Sequence, residues 1–318
     1  MRLPQRFYRL PVRFDVDRLR SEVASLPAQA WSPHPAGDAG NDAVRLISVE
    51  GGENEEVNGV MRMTPYLERS PYLRQVLASF GVVWSRSRLL RLAPGAKVHV
   101  HADVHHHWFY RVRMHIPVVT RPEVQFTCDG ERVHMAAGEA WLFDNWRLHQ
   151  VDNPTDSERI HLVGDTSGSA SFWELAAQSD KTAVSYRPYD PSRAATPLTE
   201  RALPRPVMPP AELDLLIVDL RSELALEHDA PKERPRLGRY HALLLGFGRD
   251  WRRLYSLHGE EPQGHAELAR LRDAMREQSR LLGSGLVARS NKVAAHRVLE
   301  ARILRMCLWS PAERYAAP

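Results

Sequence analysis

The sequence predicts a mainly β core, a double-stranded β-helix or jelly roll, with flanking N-terminal helices and an α-helical C-terminal region. Three observations point there. Between Val82 and Asp165 the chain is a series of short β-branched or aromatic segments separated by Gly, Pro, Asn or Asp, the mark of a sandwich or barrel. A proline-rich, aperiodic stretch then runs over residues 185–210. After it the apolar residues recur at helical spacing. The expected organisation is a double-stranded β-helix domain over 1–184, a linker or extended arm over 185–210, and a helical domain over 211–318.

The elements follow in order. Arg6–Phe14 reads as a strand, and Asp15–Leu26 as a helix that Asp15 caps. Residues 32–42 (SPHPAGDAGND) form a turn-rich loop, and Tyr66–Phe80 reads as a helix. Strands are expected near 83–93, 97–101, 108–119, 123–128, 131–135, 140–144, 148–152 and 158–165. The turns between them are PG at 94–95, DG at 129–130, Gly138 and NP at 153–154. Further on, Leu213, Leu216, Ile217, Leu220 and Leu224 make one stripe. Leu237, Tyr240, Leu244, Phe247, Trp251 and Leu254 make a second, and Leu268, Leu271 and Met275 begin a third. Val293–Leu308 reads as a fourth helix. Four such helices can bury their stripes as a bundle, and they offer a surface for a homodimer.

Composition bounds the function. The 318 residues are 43% hydrophobic and 26% charged, ordinary for a globular protein. The net charge is +4, and with four lysines (Lys97, Lys181, Lys232, Lys292) nearly all the positive charge is arginine. No block of like charge or recognition helix stands out, so nucleic acid is not an expected partner. Cys128 and Cys307 are isolated and fit neither a disulfide framework nor a thiolate zinc site. No signal peptide or membrane-length apolar run is seen, so the expected location is cytoplasmic, with no membrane partner.

The chemistry concentrates in RLAPGAKVHVHADVHHHWFYRVRMHIPVV and GEAWLFDNWRLHQVDNPTDSERIHLVGD. His101 and Asp103 are two apart on an extended segment, so they project to one face. His149, on a later strand, can supply a third ligand. Two imidazoles and a carboxylate on one face leave open positions, the arrangement of non-haem Fe(II) oxygenases. Arg159, ten residues beyond His149, can hold a carboxylate bidentately, as a keto acid chelating iron at its other end requires. His99 shares the alternation of His101 and is the rival ligand. His105, His106 and His107 are read as a loop, with His107 a candidate at the mouth of the site. Among the tryptophans, Trp146 is the candidate substrate contact, being near His149. Asp144 and Asn145 are expected to shape the turn that aims His149.

These segments resemble the aspartyl/asparaginyl β-hydroxylase-like 2-oxoglutarate oxygenases, a group that also contains free-proline hydroxylases. The resemblance covers residues 82–175. It is carried by RLAPG at 91–95, HAD at 101–103, RVRMHIP at 111–117, GEAWLFDN at 138–145, His149 and RIHLVGD at 159–165. It implies the jelly-roll fold, an Fe(II) cofactor held by His101, His149 and Asp103, and 2-oxoglutarate as co-substrate on Arg159. Arg113 and His115 match the family's further co-substrate residues. The animal aspartyl β-hydroxylases lack the metal carboxylate, whereas the free-proline hydroxylases have it, as this chain does in Asp103. The HHHWF insertion before Arg111 has no counterpart in the animal enzymes, so their substrate does not carry over. The implied activity is hydroxylation of an amino acid or of an amino-acid residue in a peptide. The alternative is a non-catalytic cupin-type metal-binding or sensor protein.

Overall fold

The structure, a computed structural model, describes residues 1–35, 37–179, 183–201, 203, 205–228 and 234–309. Contacts divide the chain into two compact units: residues 1–101 with 110–203, and residues 102–109 with 204–314. Among the described residues no helix is long and apolar enough to cross a membrane.

The first unit is mainly β. Its strands are β1 (Phe7–Phe14), β2 (Ser32–Pro33), β3 (Asn41–Val49), β4 (Met61–Met63), β5 (Val83–Leu92), β6 (Lys97–His101), β7 (Val112–Val119) and β8 (Gln125–Cys128). They continue with β9 (Glu131–Val133), β10 (Glu139–Phe143), β11 (His149–Asp152), β12 (Arg159–Thr166), β13 (Ser185–Arg187) and β14 (Leu198–Thr199). The larger sheet runs β13-β1-β10-β7-β12-β5-β3-β2, with β14 on β5 and β4 on β3; the smaller runs β6-β11-β8-β9. The stretch 185–210 thus gives two short strands to the larger sheet, β13 parallel to β1 at its edge and β14 parallel to β5.

Strand alternation sorts the residues into two layers. On β7, Val112, Met114, Ile116 and Val118 join Ile160 and Leu162 of β12 in an apolar core. That core also takes residues of helices α1 (Val16–Ala24), α3 (Pro71–Ala78) and α5 (Ala170–Ala176). The other face of the same strands carries Arg113, His115, Arg159, His161 and Asp165, all buried. A second apolar cluster, with Phe126, Cys128 and Val151 from the smaller sheet and Phe7, Leu92 and Phe143 from the larger, fills space between the sheets. Each fully buried apolar side chain contributes roughly 1.5–3 kcal/mol. The polar groups beside them are costly unless partnered, so a function for them is indicated.

Two local features differ from the expectations. The helix expected over Tyr66–Phe80 is two, α2 (Pro65–Glu68) and α3. Pro71 bars Ser70 from helical geometry, and Ser70 sits at φ −112°, ψ 81°. The orphan amides of α3 are taken by Glu22 of α1, whose carboxylate accepts from Tyr72 N (2.8 Å) and Leu73 N (2.9 Å). The loop expected over 32–42 holds β2 and opens β3, which pairs with β5 from Asn41 onward. Asp15 caps α1 as expected, accepting from Arg18 N at 3.0 Å.

In the second unit, α6 (Pro210–Glu223), α7 (Arg234–His258) and α8 (His265–Leu282) bury Leu216 and Leu220, Leu244 and Trp251, and Leu268 and Met275, as their stripes require. Strands β15 (Leu224–Leu226) and β16 (Leu286–Ala288) pair antiparallel. The helix expected over Val293–Leu308 is α9 (Ala295–Leu299), a π-helical turn over Glu300–Leu304, and α10 (Arg305–Cys307). The turn buries three successive residues, Arg302, Ile303 and Leu304, and Arg302 reaches Asp219 at 2.9 Å. The histidine tract belongs to this unit and leads into α4 (His107–Tyr110). His106 donates its backbone N–H to Ala301 O (3.2 Å) and its ring meets Glu212 at 3.2 Å.

Candidate metal centre

β6 and β11 are antiparallel neighbours, and His149 lies directly opposite His101 in their register. Their rings are 4.2 Å apart between centroids. Each Nδ1 contacts a backbone carbonyl two residues back, His101 to His99 O at 2.8 Å and His149 to Arg147 O at 2.9 Å. A carbonyl can only accept, so both Nδ1 atoms carry the proton and both Nε2 atoms carry the lone pair. That tautomer is the one a metal-binding imidazole needs.

Ligand atoms of His101, Asp103 and His149 all lie within 4.8 Å of one another. Two nitrogens and a carboxylate oxygen suit a divalent first-row metal, iron(II) included, with positions left for further ligands. The rival His99 is exposed and pairs with Asp38 instead. The turn before His149 is built as expected: Asp144 accepts from Trp146 N (3.3 Å) and Arg147 Nε (2.9 Å), and Arg147 supplies the carbonyl on His149. Burial raises the Asp144 carboxyl above its usual range, against the pull of Arg147.

Arg159 is 3% exposed and has no acidic partner among the described residues. Burial alone brings its guanidinium down to about 9, so it stays charged at neutral pH. Its Nη2 donates to His161 Nδ1 at 2.6 Å. His161 therefore holds its proton on Nε2, and His115 Nδ1 lies 3.3 Å from the same Nδ1 atom. Burial, reinforced by Arg159, keeps both imidazoles neutral, far below the usual histidine range. Arg159 Nε, His161 Nε2 and His115 Nε2 remain buried without a hydrogen-bond partner. Two orphan donors and a bare cation are a cradle for an outside carboxylate, which is the fit 2-oxoglutarate requires. Arg159 and His161 border a cavity of about 10 Å³, the room of one water, so a carboxylate entering there must part walls such as Phe126 and Val151. A larger cleft of about 390 Å³, beside Tyr72, Arg187 and Asp190, contains no member of the metal cluster.

Of the other candidates, Arg113 is engaged by Asp165 through two bonds, Nε at 2.9 Å and Nη2 at 3.3 Å. His115 packs its ring on Phe126 and Phe143, and Phe143 in turn lies 4.8 Å from His149. Trp146 is 1% exposed and fills interior space. His107 is 2% exposed, its ring edge-on to Trp108 in the second unit. His161 was not singled out by sequence. Its signal is the alternation that places it on the face of Arg159, two residues on. The buried ion group of Arg86, Arg88 and Glu55 gave no sequence signal beyond a paired arginine in SRSR.

Residues 46–167 match the aspartyl/asparaginyl beta-hydroxylase family. Among solved structures, an oxidoreductase of the 2OG-Fe(II) oxygenase family from Burkholderia pseudomallei is similar at 17% identity, over 48% of this chain and 80% of that one, with a TM-score of 0.36. A prolyl-4-hydroxylase from Pseudomonas putida is similar at 15% identity, over 52% and 95%, with a TM-score of 0.35. A Cupin 2 conserved barrel domain protein from Salinispora arenicola is similar at 22% identity, over 29% and 71%, with a TM-score of 0.22. The matched segment holds His101, Asp103, His149 and Arg159, together with the HAD, RVRMHIP and RIHLVGD motifs that carry the resemblance.

Proposed function

We propose that the protein is an Fe(II)- and 2-oxoglutarate-dependent dioxygenase, on a double-stranded β-helix, that hydroxylates an amino acid or an amino-acid residue of a peptide. The observation that carries this is the pairing of a His-Asp-His cluster with a buried guanidinium that has no acidic partner among the described residues. A structural arginine at 3% exposure would be expected to have found a counter-ion.

His101, Asp103 and His149 hold the metal, the two imidazoles aimed by carbonyls of their own strands. Arg159 receives the far carboxylate of 2-oxoglutarate, with His161 fixing the plane of the guanidinium through Nδ1. Arg113, tied to Asp165, lends positive potential without being free to swing. Phe126, Phe143 and Val151 keep water from the space beside the ligands. Iron and 2-oxoglutarate, when bound there, would supply the oxidative chemistry: O₂ and 2-oxoglutarate would be consumed to succinate and CO₂ as a substrate C–H becomes C–OH.

The test is aerobic incubation of the Fe(II)-loaded protein with 2-oxoglutarate and a panel of amino acids and peptides, read as succinate release and a product mass gain of one oxygen. Metal retention without any substrate-dependent decarboxylation would replace this reading with that of a binding or sensor protein.

A further inference from the structure

The cleft of about 390 Å³ beside α3 has the volume of a small-molecule site, and it lies on the face of the larger sheet turned away from the metal. Arg187 of β13 sits across from Phe14 of β1 in their parallel register. Residues directly across from one another on neighbouring strands share a face. Phe14 belongs to the apolar core that α1, α3 and α5 cover, whereas Arg113, His115, Arg159 and His161 occupy the other face.

The walls are tied down by their own hydrogen bonds. Tyr72 Oη donates to Arg187 O at 2.5 Å and accepts from Asp15 N at 2.7 Å. Gln75 clamps the turn that follows β13. Its Nε2 donates to Asp190 O (2.6 Å) and Arg193 O (2.7 Å), and its Oε1 accepts from Asp190 N (3.1 Å). A cleft braced in this way loses little freedom when a ligand enters.

Its charges, by contrast, are left unmatched. Arg187 uses Nη1 alone on the protein, donating to Ser79 O and Ser79 Oγ, both at 2.8 Å. Ser79 closes α3, so this contact answers the negative end of the helix. It leaves Nε and Nη2, three of the five N–H groups of a guanidinium, without a hydrogen bond to any described residue. The one acid in the lining, Asp190, is engaged by Ser192, whose N (2.9 Å) and Oγ (2.6 Å) both donate to Oδ1. Among the described residues neither Arg187 nor Arg193 forms an ion pair. Burial and the field of Arg193 both press the Arg187 guanidinium below its usual range, as two like charges in one cleft should.

We propose that this cleft binds a small organic oxyanion, separately from the metal centre. The charged group accepts from Arg187 Nε and Nη2 with Arg193 beside it, and the apolar body lies against Phe14, Val76 and Pro188. A carboxylate and a phosphate monoester both match the fork of a guanidinium, and the experiment separates them. The inference goes beyond the oxygenase reading and does not depend on it, since the cleft shares no residue with the His-Asp-His cluster.

The experiment is isothermal titration of the full chain, once bare and once loaded with Mn(II) and 2-oxoglutarate. Three probes share one ring: benzoate and phenyl phosphate carry the two oxyanions, and benzamide carries no charge. At least one anion is expected to bind, with benzamide at least about tenfold weaker. The tighter anion assigns the oxyanion. Its affinity should agree within about threefold between the bare and the loaded protein. Arg187→Gln is expected to weaken it at least about tenfold. Arg193→Glu, at an exposed position, is expected to weaken it at least about fivefold, and it decides the matter if Arg187→Gln does not fold. The proposal is overturned if neither anion binds, if benzamide binds as tightly, or if the arginine variants bind unchanged. Loss of the probe on loading with Mn(II) and 2-oxoglutarate would place it at the metal centre and overturn the proposal too.

Discussion

Replacing Arg159 by methionine should make the ligand-free protein more stable and the co-substrate site nearly useless. A guanidinium brought from 12.5 to about 9 by burial carries a penalty of about 5 kcal/mol, at roughly 1.4 kcal/mol per tenfold change. Among the described residues no acid offsets it, and His161 supplies only a neutral acceptor. Methionine fills similar space without charge, so Arg159→Met should gain roughly 1–4 kcal/mol. For a unit of this size each kcal/mol raises the melting temperature by about 2–4 °C. Affinity for 2-oxoglutarate should fall by about 2–5 kcal/mol, roughly 30- to 5,000-fold. In the unaltered protein the cation is present below about 9 and is lost above it. Co-substrate affinity should therefore hold at neutral pH and weaken about tenfold per pH unit above about 9. Thermal melts without ligand and titration of 2-oxoglutarate into the Mn(II)-loaded protein read both effects. A variant that melts lower than the parent yet binds 2-oxoglutarate equally well would show that Arg159 is a structural residue.

Four further outcomes are expected. His101→Ala or His149→Ala should abolish substrate-linked succinate formation and lower metal content after dialysis; either variant at full activity would refute the ligand assignment. Glu22→Ala strips two amides of α3 of their acceptor and should cost about 2 kcal/mol, measured by urea unfolding. Gly164→Ala would place a Cβ 2.7 Å from the Trp84 ring and should lower stability by about 1–3 kcal/mol, visible as a lower melting temperature. Asp165→Ala leaves Arg113 without its bidentate carboxylate and should cost about 3–5 kcal/mol, while the double change Arg113→Met, Asp165→Ala should recover part of it.

The β core was readable because its strands alternate cleanly. RVRMHIPVV and RIHLVGD announce both faces of the larger sheet, one apolar and one carrying Arg, His and Asp. The cluster was readable for the same reason, since an HxD on an extended strand can aim only one way. β3 was hidden because its opening, Asn41 and Asp42, looks like the end of the turn-rich run before it. The break at Ser70 was written in Pro71 but outweighed by the apolar period on either side. The π-helical turn at Glu300–Leu304 has no signature in a 3.6-residue count. Arg86 and Arg88 could not be recognised as interior. A strand arginine reads as solvent-facing until Glu55, more than thirty positions earlier, is seen to fold over it.

The proton-bearing nitrogens of His101 and His149 are secured by peptide oxygens of residues 99 and 147, not by side chains. Every amino acid brings such an oxygen. The bond that holds each Nδ1 proton therefore needs no particular side chain: residue 99 can be rewritten without disturbing the grip on the ion, whereas the side chain at 147 counts only through the Asp144 turn that it braces. Whoever hunts for auxiliary metal-tuning residues by comparing relatives should expect position 99 to look arbitrary, although the backbone there is indispensable.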